Sequence, residues 1–236
     1  MMVRQLLRMV RGRLKEAADP AFRAGVRNFF IEEVDPYGVR TRDVQAIVSA
    51  TYRECKKWPT AELFRFADPL WKSGKLEEGV IVCHLLKRYS RGFGAREFRC
   101  FEVWIDRYVQ NWSHCDGLST WLIAASIANE PKLIKRLDRW THSRNRWKRR
   151  AAIVSLLQEA KLGRNSDAVF RIAERLMDDD DVLVQKGVGW VLKEAYPRRT
   201  RDVLEFLDPW RSKAPRLVLR IAAEKMAPRD KRWLLG

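Results

Sequence analysis

Two segments decide the fold of this 236-residue chain: Trp147-Lys-Arg-Arg150-Ala-Ala-Ile-Val-Ser-Leu-Leu157 and Leu183-Val-Gln-Lys186-Gly-Val-Gly-Trp190-Val-Leu-Lys193. They align without gaps at an offset of 36 residues. In each, apolar residues recur at three- and four-residue spacing, the pattern of a helix with one buried stripe. Ile153, Leu156 and Leu157 form that stripe in the first segment, and Val188, Val191 and Leu192 in the second. The same register carried forward by 34 residues reaches Leu217. Carried back by 35, 36 and 35 residues it reaches Trp112, Leu76 and Thr41. The spacing therefore predicts helices starting at 41, 76, 112, 147, 183 and 217, each with room for a partner helix before it. Such a repeat is the signature of a helical-pair solenoid, in which each unit buries its apolar face against its neighbours. Asp19-Pro20, Trp58-Pro59, Asp68-Pro69, Gly92–Gly94, Glu130-Pro131, Gly163, Pro197, Asp208-Pro209 and Pro215 are expected to fall between the helical stretches, where helix breakers belong. Alternating β-branched runs are missing. The expectation is an all-α chain, with residues 1–236 forming one helical-repeat domain.

Lys and Arg number 47 and Asp and Glu 30, a net charge of +17. Hydrophobic residues at 46% and charged residues at 33% exclude a disordered chain, which would be poor in apolar side chains. The sequence pI of about 10.2 points to a polyanionic partner, nucleic acid first and an acidic membrane surface second. The cations are clustered. Arg139, Arg144, Arg146, Lys148, Arg149 and Arg150 follow the single acid Asp138, and eight more cations lie between Arg211 and Gly236. A duplex carries one charge per ~1.7 Å and releases counterions when its phosphates are neutralised, so an array of Lys and Arg suits that partner.

Cys55, Cys83, Cys100 and Cys115 form no CxxC pair, and His84, His114 and His142 form no HxxxH clamp. Zinc-site spacing is absent, and four cysteines are too sparse for a disulfide scaffold. The expectation is reduced thiols in a cytoplasmic protein, with no metal and no cofactor. Near the N-terminus Met2, Val3, Leu6, Leu7 and Val10 have helical spacing but are interrupted by Arg4, Arg8 and Arg11. That pattern fits neither a signal peptide nor a membrane span, so this helix is expected to pack on the rest of the fold. The run Asp178–Asp181 precedes the helix at 183 and is expected to supply its N-cap.

Residues 0, 3, 4 and 7 of each aligned helix share one stripe. Three successive units place Trp112, Cys115, Asp116 and Ser119, then Trp147, Arg150, Ala151 and Val154, then Leu183, Lys186, Gly187 and Trp190 on it. Asp116 is the only carboxylate in this set, and the small residues Ala151 and Gly187 leave room for a close approach to the backbone.

Three segments resemble one family, the bacterial AlkD-like DNA alkylation repair glycosylases built of HEAT-like repeats. Trp112-Ser-His-Cys-Asp116 resembles the family's W-x-x-x-D helix, Trp147-Lys-Arg-Arg150-Ala-Ala-Ile153 its W-x-x-R-A-A-I helix, and Gly189-Trp190-Val-Leu-Lys-Glu194 its G-W-V-L-R-E helix. Tyr37-Gly-Val-Arg-Thr-Arg42 is a weaker match to an aromatic-Gly-x-x-T segment. The spacing between segments agrees, and the resemblance covers about residues 20 to 225; the short basic C-terminus departs from it. The resemblance implies a right-handed solenoid of HEAT-like helical pairs with a concave basic face. It also implies hydrolysis of the N-glycosidic bond of cationic N3- or N7-alkylated purines. Asp116 would then be the catalytic carboxylate, Trp112 and Trp190 would flank the deoxyribose, and Arg150 would hold a backbone phosphate. Lys186, Arg149, Lys148 and Trp147 join Arg150 as expected DNA-binding residues. The partner implied is double-stranded DNA carrying alkylated purines, met by a monomer in the cytoplasm at the nucleoid and not at a membrane.

The chemistry is consistent with that assignment. An alkylated purine is already cationic and leaves as a neutral base, so no strong general acid is needed. Positive charge develops on the sugar, and an ionised carboxylate in a dry cleft stabilises it. Tryptophan faces attract a cation while packing on sugar C–H groups. Two other readings of the sequence remain open: a non-catalytic relative that binds bent or branched DNA, and a helical-repeat scaffold for proteins.

Overall fold

The computed structural model describes residues 2–236 and is built of helices: α1 (Met2–Glu16), α2 (Pro20–Asn28), α3 (Thr41–Cys55), α4 (Thr60–Lys72), α5 (Leu76–Lys87), α6 (Ala95–Arg107), α7 (Trp112–Gly117), α8 (Ala124–Asn129), α9 (Ile134–Trp140), α10 (Arg146–Val154), α11 (Leu157–Leu162), α12 (Ser166–Glu174), α13 (Val182–Ala195), α14 (Thr200–Leu207), α15 (Arg216–Ala222) and α16 (Pro228–Leu235). Among the described residues there is no strand, only one isolated parallel bridge between Asp35 and Lys75. No helix among them is long and apolar enough to cross a membrane. The aligned helices α3, α5, α7, α10, α13 and α15 begin within one residue of the expected positions. Each packs on the next in that order.

Local chemistry sets these starts. Side-chain oxygens cap the three middle helices: Asn111 accepts from the His114 N–H at 2.9 Å, Asn145 from the Trp147 N–H at 2.9 Å, and Asp181 from the Leu183 N–H at 2.8 Å. Each cap satisfies a donor that the first turn leaves free. The helix that begins at Trp112 does not stay α-helical. Leu118–Ile123 widens into a π-helical turn before α8, a device that re-aims side chains and recurs at functional sites. The helix that begins at Arg146 pauses at Ser155 and Leu156 and resumes as α11.

Packing repeats the period of the sequence. Most side-chain hydrogen bonds between elements join residues 30 to 42 apart, as in Arg149–Asp179 and Lys148–Asp106. Tyr196 Oη donates to Asp230 across 34 residues and Trp140 Nε1 to Glu102 across 38. Each unit is thus tied to its neighbour. The first unit is tied by buried acids. Glu77 accepts from the backbone N–H groups of Tyr37, Gly38 and Val39 at 2.8, 2.8 and 3.0 Å. Glu78 takes Nε and Nη2 of Arg11 at 3.0 Å each and the Tyr37 hydroxyl at 2.7 Å. The Tyr37-Gly38-Val39 segment is therefore a backbone nest for a carboxylate. Gly38 is required in it: φ is +87°, and a Cβ would lie 2.6 Å from the Asp19 carbonyl oxygen. Leu6, Val10 and Leu14 of α1 are buried, and α1 packs on α3 and α4. Buried apolar side chains from Leu6 to Leu234 form one contiguous cluster.

The close packing of α13 on α15 predicts a measurable effect. A Cβ at Gly189 would meet Ile221 Cβ at 2.8 Å and the Val218 carbonyl oxygen at 2.9 Å. Gly189→Ala must force α13 and α15 apart, with an expected loss of about 1–3 kcal/mol. A Cβ at Gly12 in α1 meets nothing within 4 Å, so Gly12→Ala is expected to add about 0.8–1 kcal/mol through helix propensity. Urea unfolding of the two variants checks the opposite signs.

Candidate active site

The N-cap of α7 places Trp112 at the first residue of that helix and Asp116 one turn later. Arg150 on α10 reaches back across 34 residues and clamps Asp116 with two bonds, Nε to Oδ1 at 2.8 Å and Nη2 to Oδ2 at 2.7 Å. Its remaining nitrogen, Nη1, donates to the Leu183 carbonyl at the start of α13. Arg150 is 5% exposed and the Asp116 side chain 15% exposed. The small residue at Gly187 shapes this passage, since a Cβ there would lie 3.2 Å from Val154 Cγ2 and 3.5 Å from Arg150 Nη1. What comes close to the α13 backbone is thus α10 and its guanidinium.

Burial pushes the Asp116 carboxyl above the ordinary carboxylate value, and the two Arg150 bonds pull the other way. An isolated buried carboxyl would be neutral; the guanidinium favours its charged form. The flanking residues are inert by comparison. His114 is fully buried, with its Nε2 at 2.9 Å from the Leu76 carbonyl oxygen, and burial pushes its pKa down to about 4. The Cys115 thiol is buried, which raises it, and its Sγ lies against the Trp147 carbonyl at 3.4 Å.

Asp116 lies where two cavities meet. One, of about 400 Å³, runs toward His84, Trp121 and Lys161. The other, of about 510 Å³, runs toward Phe29, Ile31, Lys186 and Glu224. Trp112, Asp116 and Trp190 line both, so the two indoles and the carboxylate form the waist between them. Both tryptophans are half-buried. Phe30 stacks on Trp112 with centroids 5.1 Å apart and planes at 19°, and Phe29 meets it edge-on at 5.7 Å.

The structure therefore brings Trp112, Asp116, Arg150, Lys186 and Trp190 to one cleft. Lys186 is exposed on its rim, with no ion pair among the described residues. Lys148 and Arg149 lie elsewhere, because successive helical residues point about 100° apart, whereas Trp147 shares the stripe of Arg150 but is buried and lines neither cavity. Trp147 is buried with Arg146 over its ring at 4.7 Å. Lys148 pairs with Asp106 at 2.7 Å and Glu102 at 3.4 Å. Arg149 pairs with Asp179 through two bonds of 2.6 and 3.0 Å. Sequence reasoning did not select Phe29, Phe30, Ile31, Glu32, His84 or Trp121. The first three had a legible signal, a run of three large apolar residues after a helix, α2, that buries no side chain.

The buried pair predicts a stability pattern. Arg150→Ala leaves the Asp116 carboxylate buried without a partner and is expected to cost about 3–5 kcal/mol in chemical unfolding. Adding Asp116→Ala to it should cost less than the sum of the two single changes, because the uncompensated charge is gone.

Comparison with known proteins bears on the family and the fold. The family model described as DNA alkylation repair enzyme matches residues 10–226. A solved structure titled predicted DNA alkylation repair enzyme, from Enterococcus faecalis, superposes with a TM-score of 0.80. It shares 17% sequence identity, and the match covers 89% of this chain and 97% of that one. At that identity the likeness shows the fold. No curated protein matches the chain. The match over residues 10–226 places the chain in the DNA alkylation repair enzyme family.

Proposed function

We propose that the protein is a DNA glycosylase that hydrolyses the N-glycosidic bond of cationic N3- or N7-alkylated purines in duplex DNA. The observation that carries this reading is the single carboxylate of Asp116, held by Nε and Nη2 of Arg150 between the indoles of Trp112 and Trp190. In this reading the row of second helices lines the concave, basic side of a right-handed solenoid of HEAT-like pairs, and the duplex lies along it. The deoxyribose of the damaged nucleotide sits at the waist, with its C–H edges against the two indoles.

The bond to the base lengthens first. The alkylated purine takes the bonding pair and leaves neutral, while the sugar becomes an oxocarbenium ion. Asp116 stabilises that charge and orients the water that adds to C1′, accepting its proton. Low-dielectric surroundings strengthen the interaction. Each of the three Arg150 nitrogens already makes one bond within the protein, which leaves only the second N–H of Nη1 and of Nη2 for a phosphate. Arg150 acts here by keeping Asp116 ionised and oriented. The exposed ammonium of Lys186, one turn before Trp190, is the cation free to meet the DNA backbone.

The decisive experiment is release of free methylated base from methylated duplex DNA, above the uncatalysed background. Asp116→Asn should lower the single-turnover rate by at least about 100-fold while retaining duplex binding. No release by the wild type, or equal release by the variant, overturns the reading. Because base release requires the ionised carboxylate, the rate should rise with pH through the Asp116 pKa. Burial has raised that pKa, so the midpoint of the acid limb is expected above the ordinary ~3.9 of an aspartate.

A further inference from the structure

The loop after α2 carries Phe29-Phe30-Ile31-Glu32, and its residues are oddly disposed. Phe29 and Ile31 are 72% and 78% exposed, although both are large and apolar. The Glu32 side chain, which is charged, is only 6% exposed. Both of its carboxylate oxygens are buried without a hydrogen-bond partner. The nearest cation is Nη2 of Arg146, at 3.8 Å. That is too long for a hydrogen bond. Arg146 itself bonds to Asp181, Nη1 to Oδ2 at 3.3 Å, and lies over Trp147. A buried carboxylate without hydrogen bonds is costly, and its position calls for an explanation.

The surroundings are those of an anion site. Arg146 and Arg150 stand one turn apart on α10, and Lys186 lies on the rim of the same cleft. Burial of Arg146 is only partial, at 41% side-chain exposure, so it can be reached from solvent. Glu32 touches this group loosely. A phosphodiester offers more acceptor oxygens and can take the bonds that Glu32 does not make. The loop is also in the way of any ligand entering the cleft, because Phe29 and Ile31 line the same cavity as Asp116.

We propose that Glu32 is a placeholder: in the DNA-free protein it occupies the anion position beside Arg146 that a backbone phosphate of bound DNA takes over. The inference rests on the reading that this cleft receives DNA. It links binding to the waist, because Phe30, two residues before Glu32, covers one face of Trp112. When the phosphate displaces Glu32, Phe30 leaves that face, and the indole becomes free to pack on the deoxyribose. Arg146 and Glu32 are thereby positioning residues that act through Trp112.

The test is the affinity for a short unmodified duplex, measured by fluorescence anisotropy at one fixed salt concentration. Wild type, Glu32→Gln, Arg146→Gln and the double variant complete a cycle. Glu32→Gln keeps the shape of the side chain and removes its charge, and is expected to bind roughly three- to tenfold more tightly. That gain should vanish when Arg146 is also replaced. Glu32→Ala should show the same gain, which separates the charge from any new bond made by the glutamine. Equal or weaker binding by both Glu32 variants, or a gain that persists without Arg146, overturns the proposal. Base release is not part of this measurement. Tightening without base release in any protein would overturn the glycosylase reading alone, and absence of duplex binding in all of them would overturn both.

Discussion

The guanidinium of Arg150 bonds to Asp116 of α7 through two nitrogens and to the Leu183 carbonyl of α13 through the third. Three successive helices of the row meet in this one group. Its value is not primarily stability, since a buried ion pair roughly repays its own desolvation. What it fixes is orientation and charge. The carboxylate faces the waist between two indoles, where burial favours the neutral acid and the two Arg150 bonds favour the anion. The close approach of α10 to α13 at Gly187, and the Asn145 and Asp181 caps that set where those helices begin, hold the partners of this contact in register.

The same contact separates what could be read in the sequence from what could not. The aligned period located the starts of six helices to within a residue, because helix caps and apolar spacing are local properties of the chain, whereas the break expected at Asp68-Pro69 falls inside α4, where Pro69 is accommodated within the helix. It also placed Trp112, Asp116, Arg150, Lys186 and Trp190 on one stripe, since residues at positions 0, 3, 4 and 7 share a face whatever surrounds them. The partner of each charge was not legible. Arg150 read as one cation among six, and only tertiary packing shows that it is spent on Asp116. Trp147 begins its unit as Trp112 does, yet it lies buried under Arg146 while Trp112 faces a cavity. The Phe29–Glu32 loop was the least legible element. Its residues belong to no periodic stripe, and their position over the cleft depends on tertiary contacts with Trp112 and Arg146 far along the chain.

The large positive charge takes a different meaning once these pairs are drawn. Arg146, Lys148, Arg149 and Arg150, which dominate the basic stretch, all face carboxylates on neighbouring units. They act as cross-braces between repeats. The surplus that gives the chain its +17 is carried by other side chains, Lys186 among them. A long-range field can gather a polyanion from solution without any of the braces letting go, and contact chemistry at the cleft is then confined to a few residues.

Most side-chain bonds between elements reach about one period along the chain, but the Phe29–Glu32 loop reaches farther, to Trp112 and Arg146. Where helices pack in a row, local opening is expected to begin at the ends, where a helix has one neighbour in the row instead of two. The helices that form the waist are α7, α10 and α13. Two members of the row, α3 and α5, precede them, and α15 follows. Amide exchange is therefore expected to be slowest in the helices that hold the two indoles and the carboxylate, while opening at the N-terminal end would also uncover the face of Trp112 that Phe30 stacks on.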